Sequence, residues 1–247
     1  MENALLISLS RQMALQSRMD VLANNMANVN TAGFKSDSLM FEEYVMPVAR
    51  MSDVNGSQAR LSYVQDVAVF RDFTEGTAEQ TGGELDVAIS GDAWLVVRTP
   101  NGDRYTRNGQ LKLDASGQLV TQDGFAVLGQ GGPVTFTVDE TGIEIARDGT
   151  ISTSQGTKGQ LSLVSFANNN QLKKEGSTLF ASEATPTPAE NAEVMQGMVE
   201  KSNVQPVIEL TRIIETVRAY TAVTRTLQQT HELRQDAIER LGNTSAA

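Results

Sequence analysis

The sequence predicts an α+β fold in which a helix at each end of the chain encloses an antiparallel β domain. Apolar residues near both termini recur with the 4, 3 spacing of a helical seam. The middle of the chain changes to short β-type runs separated by Asn-Gly and Asp-Gly pairs. The expected divisions are an N-terminal helix at 1–34, a linker at 35–60, the β domain at 61–184, a second linker at 185–202 and a C-terminal helix at 203–247.

The composition narrows the classes of function. The 247 residues include 20 basic and 30 acidic side chains, a net charge of −10. Nucleic acids and anionic membranes bind basic surfaces, so neither is an expected partner. The chain has no cysteine, which excludes disulfides and thiolate metal sites. Aromatic residues make up only 5% of the chain, so we expect a modest core with many turns.

The first residues do not have the pattern of a secretory leader. Glu2 stands where a basic residue is usual, and Ser8 and Arg11 interrupt the apolar run. No run of about 18 apolar residues is present, so no membrane insertion is expected. If the chain leaves the cytoplasm, we expect it to do so without a cleaved signal peptide.

The N-terminal helix is predicted over residues 4–29. No Gly or Pro occurs before Gly33, and at about 1.5 Å per residue the segment would span roughly 39 Å. Its seam is formed by Leu15, Met19, Leu22, Met26 and Val29.

The helix ends in the unusual stretch ANNMANVNTAGFK. Asparagine is a poor helix former because its side chain competes for backbone hydrogen bonds, yet four asparagines fall within seven positions. Asn30 and Thr31 are expected to end the helix, and Gly33 to adopt a positive φ. Phe34 is expected to anchor the following linker.

The middle of the chain is predicted to form hairpins. Asn-Gly or Asp-Gly pairs lie at 101–102, 108–109, 123–124 and 148–149. Short strands at this spacing favour a sandwich or a partly open barrel. The 35–60 segment is predicted as extended linker with one short helix. Pro186 and Pro188 favour a loop in the second linker.

The C-terminal helix is predicted to begin at Pro206, which is tolerated only in a first turn, with Ser202 or Asn203 as cap. Its seam comprises Ile213, Val217, Tyr220, Thr224, Leu227, His231, Arg234, Ile238 and Leu241, widened by Leu210, Ile214 and Val223.

The two terminal helices have matching seams, so we expect them to pair as a coiled-coil-like bundle. A bundle of only two helices would leave much of each stripe in water, so this arrangement needs further partners. The alternative is that both helices pack on the chain's own β domain.

Catalytic motifs are largely missing. His231 is the only histidine and lies on the seam of a long helix, where a tolerated polar residue is a simpler interpretation than a catalytic triad. No metalloprotease, P-loop or EF-hand spacing occurs. The sequence therefore predicts neither an enzyme nor a cofactor or metal site.

Four motifs, in order along nearly the whole chain, resemble the bacterial flagellar axial proteins, the rod and hook subunits. They are LANNMANVNTAGFK, GELDVAISGDAWLVV, RYTRNGQLKLDASGQLVTQDGFAVLG and GMVEKSNVQPVIELTRIIETVRAYT. Ala93-Trp94 departs from the family's usual Gly followed by an aromatic residue, which affects the turn there. The chain length and the opening MENALLISLSRQMALQ are more similar to the proximal than to the distal rod subunits, the competing assignment.

The resemblance implies a structural subunit of the flagellar rod in the periplasm. Its terminal helices would pack with those of other copies and other rod proteins, proximal and distal, into a tube that surrounds the export channel and transmits torque. Export would proceed through the flagellar type III apparatus.

On this reading, the asparagines and the two seams form the assembly interface. Buried amides between subunits would fix helix register as one polar seam residue does in a coiled coil. The alternative is a local helix cap with no intermolecular role. The candidate interface residues are Leu15, Met19, Leu22, Asn24, Asn25, Met26, Asn28, Asn30, Gly33, Phe34, Asn203, Pro206, Leu210, Ile213, Val217, Tyr220 and Leu227.

Two functions from other classes compete. A stalked, secreted adhesion or carbohydrate-binding module would carry aromatic clusters on its β face, but Trp94 is the only tryptophan. A hydrolase is disfavoured by the missing catalytic motifs.

Overall fold

A computed structural model describes residues 2–46, 61–189 and 191–244. The chain divides into two compact units. The helical unit comprises Met1–Met26, Asp37–Phe70 and Pro206–Ala247, and the β unit comprises Ala27–Ser36 and Arg71–Gln205. The α+β class predicted from the sequence is confirmed.

The helical unit contains the two predicted helices and a two-stranded sheet. The helices are α1 (Glu2–Ala27) and α2 (Pro206–Thr244), and the strands are β1 (Asp37–Met46) and β2 (Leu61–Arg71). α1 contains neither Gly nor Pro and ends at Ala27, two residues before the predicted end. Asn24 and Asn25 therefore lie in the helix, and Asn28 and Asn30 lie in the turn that follows. α2 begins at the predicted proline, which lacks an N–H that the first turn would leave unpaired.

Strand β1 occupies part of the segment predicted as linker. The sequence DSLMFEEYVM contains Phe, Tyr and Val, which favour strands. Its partner β2 begins 15 residues after β1 ends, so the pairing is not visible in the local pattern. The rest of the predicted linker, 47–60, lies outside the described residues.

The β unit is built from short strands and one 3₁₀ turn at Asn169–Gln171. The strands are β3 (Ala78–Gln80), β4 (Val87–Ser90), β5 (Trp94–Thr99), β6 (Gly102–Thr106), β7 (Leu111–Leu113), β8 (Leu119–Thr121), β9 (Ala126–Gly129), β10 (Gly132–Pro133), β11 (Glu144–Ile145), β12 (Thr150–Thr153), β13 (Gly156–Gln160), β14 (Leu163–Ser165), β15 (Lys173–Glu175), β16 (Leu179–Ala181), β17 (Thr187–Pro188), β18 (Glu193–Gln196) and β19 (Met198–Glu200).

Most of these strands belong to one antiparallel sheet of ten strands. Its main order is β15-β16-β6-β5-β9-β8-β7, with β10 on β9, β14 on β5 and β17 on β14. β11, β12 and β13 form a separate three-stranded sheet. β18 pairs with β4, and β19 pairs with β3.

Three of the four predicted turn pairs connect adjacent antiparallel strands. Asn101-Gly102 joins β5 to β6, Asp123-Gly124 joins β8 to β9, and Asp148-Gly149 joins β11 to β12. The fourth prediction, at 108–109, is wrong, because no hairpin forms there. Gly109 instead accepts a hydrogen bond from the Val87 amide at 2.9 Å, and a Cβ at Gly109 would lie 1.7 Å from the Val87 oxygen.

Strand β5 is buried on both faces. Leu95 and Val97 belong to the larger apolar cluster, while Trp94 and Val96 belong to a second one. Successive side chains of a strand point to opposite faces, so the two clusters lie on either side of β5. In the second cluster the Trp94 and Phe180 ring centroids are 4.9 Å apart in an edge-to-face arrangement.

The second predicted linker contributes to the β unit. Within 185–202, strands β18 and β19 hold Val194 and Val199, both buried. β18 and β19 are short, and each lies more than 100 residues along the chain from its partner strand, β4 or β3. Local periodicity therefore gave no signal for this pairing.

Candidate assembly site

The two helices contact each other through polar side chains. The Gln12 Nε2 donates to the Tyr220 hydroxyl at 2.9 Å. The Asn25 Nδ2 lies 3.4 Å from the Glu209 carboxylate, which also accepts a hydrogen bond from Arg212 at 2.7 Å. Glu209 and Thr216 are buried on this side of α2.

A different side of α2 carries an exposed apolar stripe. We define the α2 stripe as Val207, Leu210, Ile214 and Val217, all exposed. The residues lie 3 or 4 positions apart, which places them along one side of the helix. Leu6, Leu9 and Met13 form a similar exposed ridge on α1, with Met13 63% exposed. Apolar ridges of this kind on polar helices are typical of surfaces that pack against a partner.

The structure distributes the candidate interface residues over three levels of exposure. The buried ones are Leu22, Asn25, Gly33 and Phe34. The half-buried ones are Leu15, Met19, Met26, Asn28, Asn203, Ile213, Tyr220 and Leu227. The exposed ones are Asn24, Asn30, Pro206, Leu210 and Val217.

Asn25 connects α1 to β1 within the chain. Its Oδ1 accepts from the Asp37 amide at 3.0 Å, and its Nδ2 donates to the Asp37 carbonyl at 2.8 Å. The side chain is 1% exposed. Asn25 therefore satisfies both backbone groups of Asp37, a role that the sequence did not indicate.

The turn after α1 is held by its own polar groups. The Thr31 amide donates to the Asn28 carbonyl at 3.1 Å, and the Thr31 hydroxyl donates to the Asn28 side chain at 3.2 Å. Gly33 has φ +68°, as the sequence predicts, and its amide donates to the Glu200 carbonyl at 2.8 Å. A Cβ at Gly33 would lie 2.3 Å from the carbonyl carbon of Arg107.

Phe34 is fully buried directly after this turn. The Lys174 ammonium lies 4.0 Å from the centre of its ring, a cation–π contact. The Asn203 amide donates to the Phe34 carbonyl at 3.4 Å. Residues 32–36 and 200–204 thus lie side by side, and we call this pair of segments the clasp.

Asn203 belongs to the clasp and does not cap α2, which corrects one of the two predicted caps. Its Oδ1 accepts from the Ser36 amide at 2.8 Å, and its Nδ2 donates to the Asp72 carbonyl at 2.8 Å. The other predicted cap, Ser202, accepts from the Val204 amide at 3.3 Å, before the helix begins.

A buried ion cluster lies beneath the clasp. Glu200 accepts from the Lys35 ammonium at 2.7 Å and the Gly76 amide at 2.9 Å, and its other oxygen lies 3.5 Å from the Arg107 guanidinium. All three charged side chains are nearly inaccessible to water. Burial lowers the pKa of Lys35, and the neighbouring Glu200 opposes that shift.

Sequence reasoning missed this cluster. Lys35 closes the Asn-rich motif and Glu200 precedes the C-terminal helix, but single charged residues are normally exposed. The three charges meet only in the folded β unit, where β19 pairs with β3 and Gly33 lies close to the backbone of Arg107.

The described residues contain no grouping of His, Asp and Glu that could hold a metal ion. Within that same part of the chain, neither helix is apolar enough over a sufficient length to cross a membrane. His231 lies 3.3 Å from the Gln235 side chain, one turn along α2.

Three segments of the chain match protein families with related descriptions. Residues 5–35 match the family described as flagella basal body rod protein. Residues 88–153 match the flagellar hook protein FlgE/F/G D1 domain, and residues 195–240 match the flagellar basal body rod FlgEFG protein C-terminal family. The first and last matches cover the clasp segments except Ser36, and most of both helices.

Individual relatives agree with these matches over the whole chain. The flagellar basal-body rod protein FlgF of Caulobacter vibrioides is 39% identical over 245 residues, which is 98% of this chain and 99% of the relative. The protein of the same name from Mesorhizobium japonicum is 31% identical over 99% of this chain and 100% of the relative. The rod protein FlgG of Buchnera aphidicola subsp. Acyrthosiphon pisum is 34% identical over 90% of this chain and 93% of the relative.

The site therefore belongs to a protein of the structural, self-assembling class. The chain is a member of the flagellar basal-body rod protein family. Membership of this family confirms the resemblance seen in the four sequence motifs and agrees with the prediction of a structural role.

Proposed function

We propose that the chain is a structural subunit of the proximal flagellar rod. It assembles through its terminal helices into a tube that surrounds the export channel and transmits torque. The observation that carries this proposal is the α2 stripe, which stays exposed although another side of the same helix contacts α1. In a rod-family chain, such a stripe suits lateral packing against the helices of other subunits.

The hydrogen bonds between α1 and α2 support their pairing as a coiled-coil-like bundle. The burial of β5 on both faces supports a sandwich-like β unit. Partners of the assembled chain would be copies of itself and other proximal and distal rod proteins. The chain would be exported through the flagellar type III apparatus and would lie where the rod crosses the periplasm.

The candidate interface residues remain our proposed assembly region, with two roles. Exposed members such as Leu210 and Val217 would contact neighbouring subunits. Buried members such as Asn25, Gly33 and Phe34 would hold the segment that follows α1 in a fixed conformation.

The test is Ile214→Glu in a motility and rod-assembly assay. A charge in the stripe should block rod assembly, while export and the thermal melt of the β unit stay normal. Ala222→Glu, at an exposed position outside the stripe, is the matched control and should assemble. Normal swimming of an Ile214→Glu strain would contradict helix-mediated assembly.

A distal-rod role is the second candidate, favoured by the 34% identity to a relative named FlgG. The relative named FlgF has higher identity and coverage, so we favour the proximal rod. Complementation distinguishes the two, because the chain should restore swimming to a strain that lacks its FlgF and not to one that lacks its FlgG.

A further inference from the structure

Two Asn-Gly pairs of the β unit lie close together in the sequence but in contrasting surroundings. Asn101-Gly102 forms part of the turn between β5 and β6, and both of its residues are exposed to solvent. Asn108-Gly109 follows β6, and both of its residues are buried. A further pair, Asn55-Gly56, lies outside the described residues. The same dipeptide is thus present in water and in the protein interior.

An asparagine followed by a glycine can lose its side-chain amide without an enzyme. The backbone nitrogen of the glycine attacks the asparagine Cγ and forms a new C–N bond, and the amide nitrogen leaves as ammonia with the proton that the attacking nitrogen gives up. One water molecule then opens the resulting succinimide ring at either carbonyl, which leaves aspartate or isoaspartate. Glycine favours the attack because it has no side chain and its backbone adopts many conformations.

The surroundings of Asn101 leave both reacting groups accessible. Within the described part of the chain, no hydrogen bond holds its side-chain amide. A Cβ at Gly102 would meet only the Arg104 guanidinium, at 3.5 Å. Gly102 is the first residue of β6 and pairs with Thr99, the last residue of β5. Opening of this terminal pair frees the Gly102 nitrogen for attack while the rest of the hairpin stays paired.

The surroundings of Asn108 prevent the same reaction. Its Oδ1 accepts a hydrogen bond from the Gln110 amide at 3.0 Å, and the residue is only 8% exposed. The Gly109 carbonyl is held by the Val87 amide, and the backbones of Gly109 and Val87 are in close contact. This segment has no room to rotate into the attacking geometry, and water has little access to open a ring.

We propose that Asn101 is a site of spontaneous deamidation and that the fold protects Asn108 from it. The product carries a new negative charge in a turn that already holds Asp103, whose carboxylate pairs with Arg98 at 2.9 Å. Isoaspartate also adds one backbone carbon atom to the connection between β5 and β6. All of these groups lie in the β unit, so the modification is independent of rod assembly.

Ageing of the purified full-length chain in mildly alkaline buffer tests the proposal. Trypsin cleaves after Arg104 and Arg107, so Asn101 and Asn108 fall on separate peptides. Each deamidation raises the mass of its peptide by about 1 Da, which mass spectrometry measures against an unaged sample. We expect Asn101 to react at least tenfold faster than Asn108 in the folded chain. In urea the two rates should converge, because only the fold distinguishes the two pairs.

Equal rates at the two asparagines of the folded chain would overturn the proposal. It would also be overturned if Asn101 stayed intact in the folded chain over the time in which the urea-unfolded chain reacts.

The variant Thr99→Val tests whether opening of the turn limits the reaction. The Thr99 hydroxyl accepts from the Asn101 amide at 3.3 Å and donates to the Gly102 carbonyl at 2.8 Å, so it holds the turn closed. Valine keeps the branched shape without either bond. We expect the Asn101 rate to rise at least threefold and the Asn108 rate to stay at its parent value. An unchanged Asn101 rate, or an equal rise at Asn108, would overturn the assignment of the reaction to this turn.

Discussion

At the residue scale, Gly33 is required for two separate reasons. Its backbone is left-handed, at φ +68°, and a side chain would meet the backbone of Arg107 and Asn108. We expect Gly33→Ala to destabilise the β unit by more than about 2 kcal/mol, because the left-handed conformation alone costs about 1–2 kcal/mol. Urea unfolding followed by circular dichroism measures the change.

Gly82 separates these two effects. It has φ +71°, but a Cβ there would meet nothing within 4 Å. Gly82→Ala should therefore lose only the conformational term. Equal losses of stability for both variants would show that the close approach to Arg107 adds no steric cost at Gly33.

Substitution of Glu200 should also strongly destabilise the β unit. Glu200→Gln leaves Lys35 buried without its ion-pair partner and leaves Arg107 with only the exposed Glu75, 3.8 Å away. Breaking a buried pair costs about 3–5 kcal/mol. The measurement is the free energy of unfolding of the β unit at neutral pH.

The matched control is Glu79→Gln, which removes an exposed ion pair with the neighbouring Lys201. Exposed pairs contribute less than about 1 kcal/mol, so this variant should unfold almost like the parent chain. A loss at Glu200 no larger than that at Glu79 would mean that the cluster does not stabilise the clasp.

At the element scale, Asn25 joins α1 to β1. Asn25→Ala removes the two side-chain hydrogen bonds to the amide and carbonyl of the half-buried Asp37, which should cost about 1–3 kcal/mol. Hydrogen exchange of the Asp37 amide should accelerate correspondingly. Asn30→Ala, at an exposed position of the same motif, should leave that exchange rate unchanged. An unchanged exchange rate of the Asp37 amide in Asn25→Ala would contradict the proposed role of Asn25 in joining α1 to β1.

Elements with a strong local pattern were predictable from the sequence. α1, α2 and three of the four hairpins follow from seam spacing, Pro206 and the Asn-Gly or Asp-Gly pairs. β1, β18 and β19 were not predicted, because each is short or distant from its partner strand. The buried charges Lys35 and Glu200 were missed for the same reason, since their environment exists only after long-range pairing.

At the scale of the whole molecule, the β unit does not coincide with the sequence-predicted domain at 61–184, since residues 61–70 belong to the helical unit. It includes Phe34 and Lys35 before the helical unit's hairpin, and β18 and β19 after the predicted end. The chain thus passes through the clasp immediately after α1 and again immediately before α2. The clasp ties the two connections to one folded unit.

The last prediction compares two fragments of the chain. Fragment 27–205 contains the complete β unit and should unfold cooperatively, at the temperature where the β unit melts in the full chain. Fragment 61–184 lacks β18, so β4 loses its partner and the core around Val87 and Ile89 loses Val194. It also lacks Phe34, and removal of a buried Phe side chain alone costs about 3–5 kcal/mol. A typical domain is stable by only about 5–15 kcal/mol, so we expect this shorter fragment to be unfolded or nearly so. Differential scanning calorimetry of both fragments measures the difference. Equal melting temperatures would mean that residues 61–184 fold as a complete domain and that the clasp does not contribute to its stability.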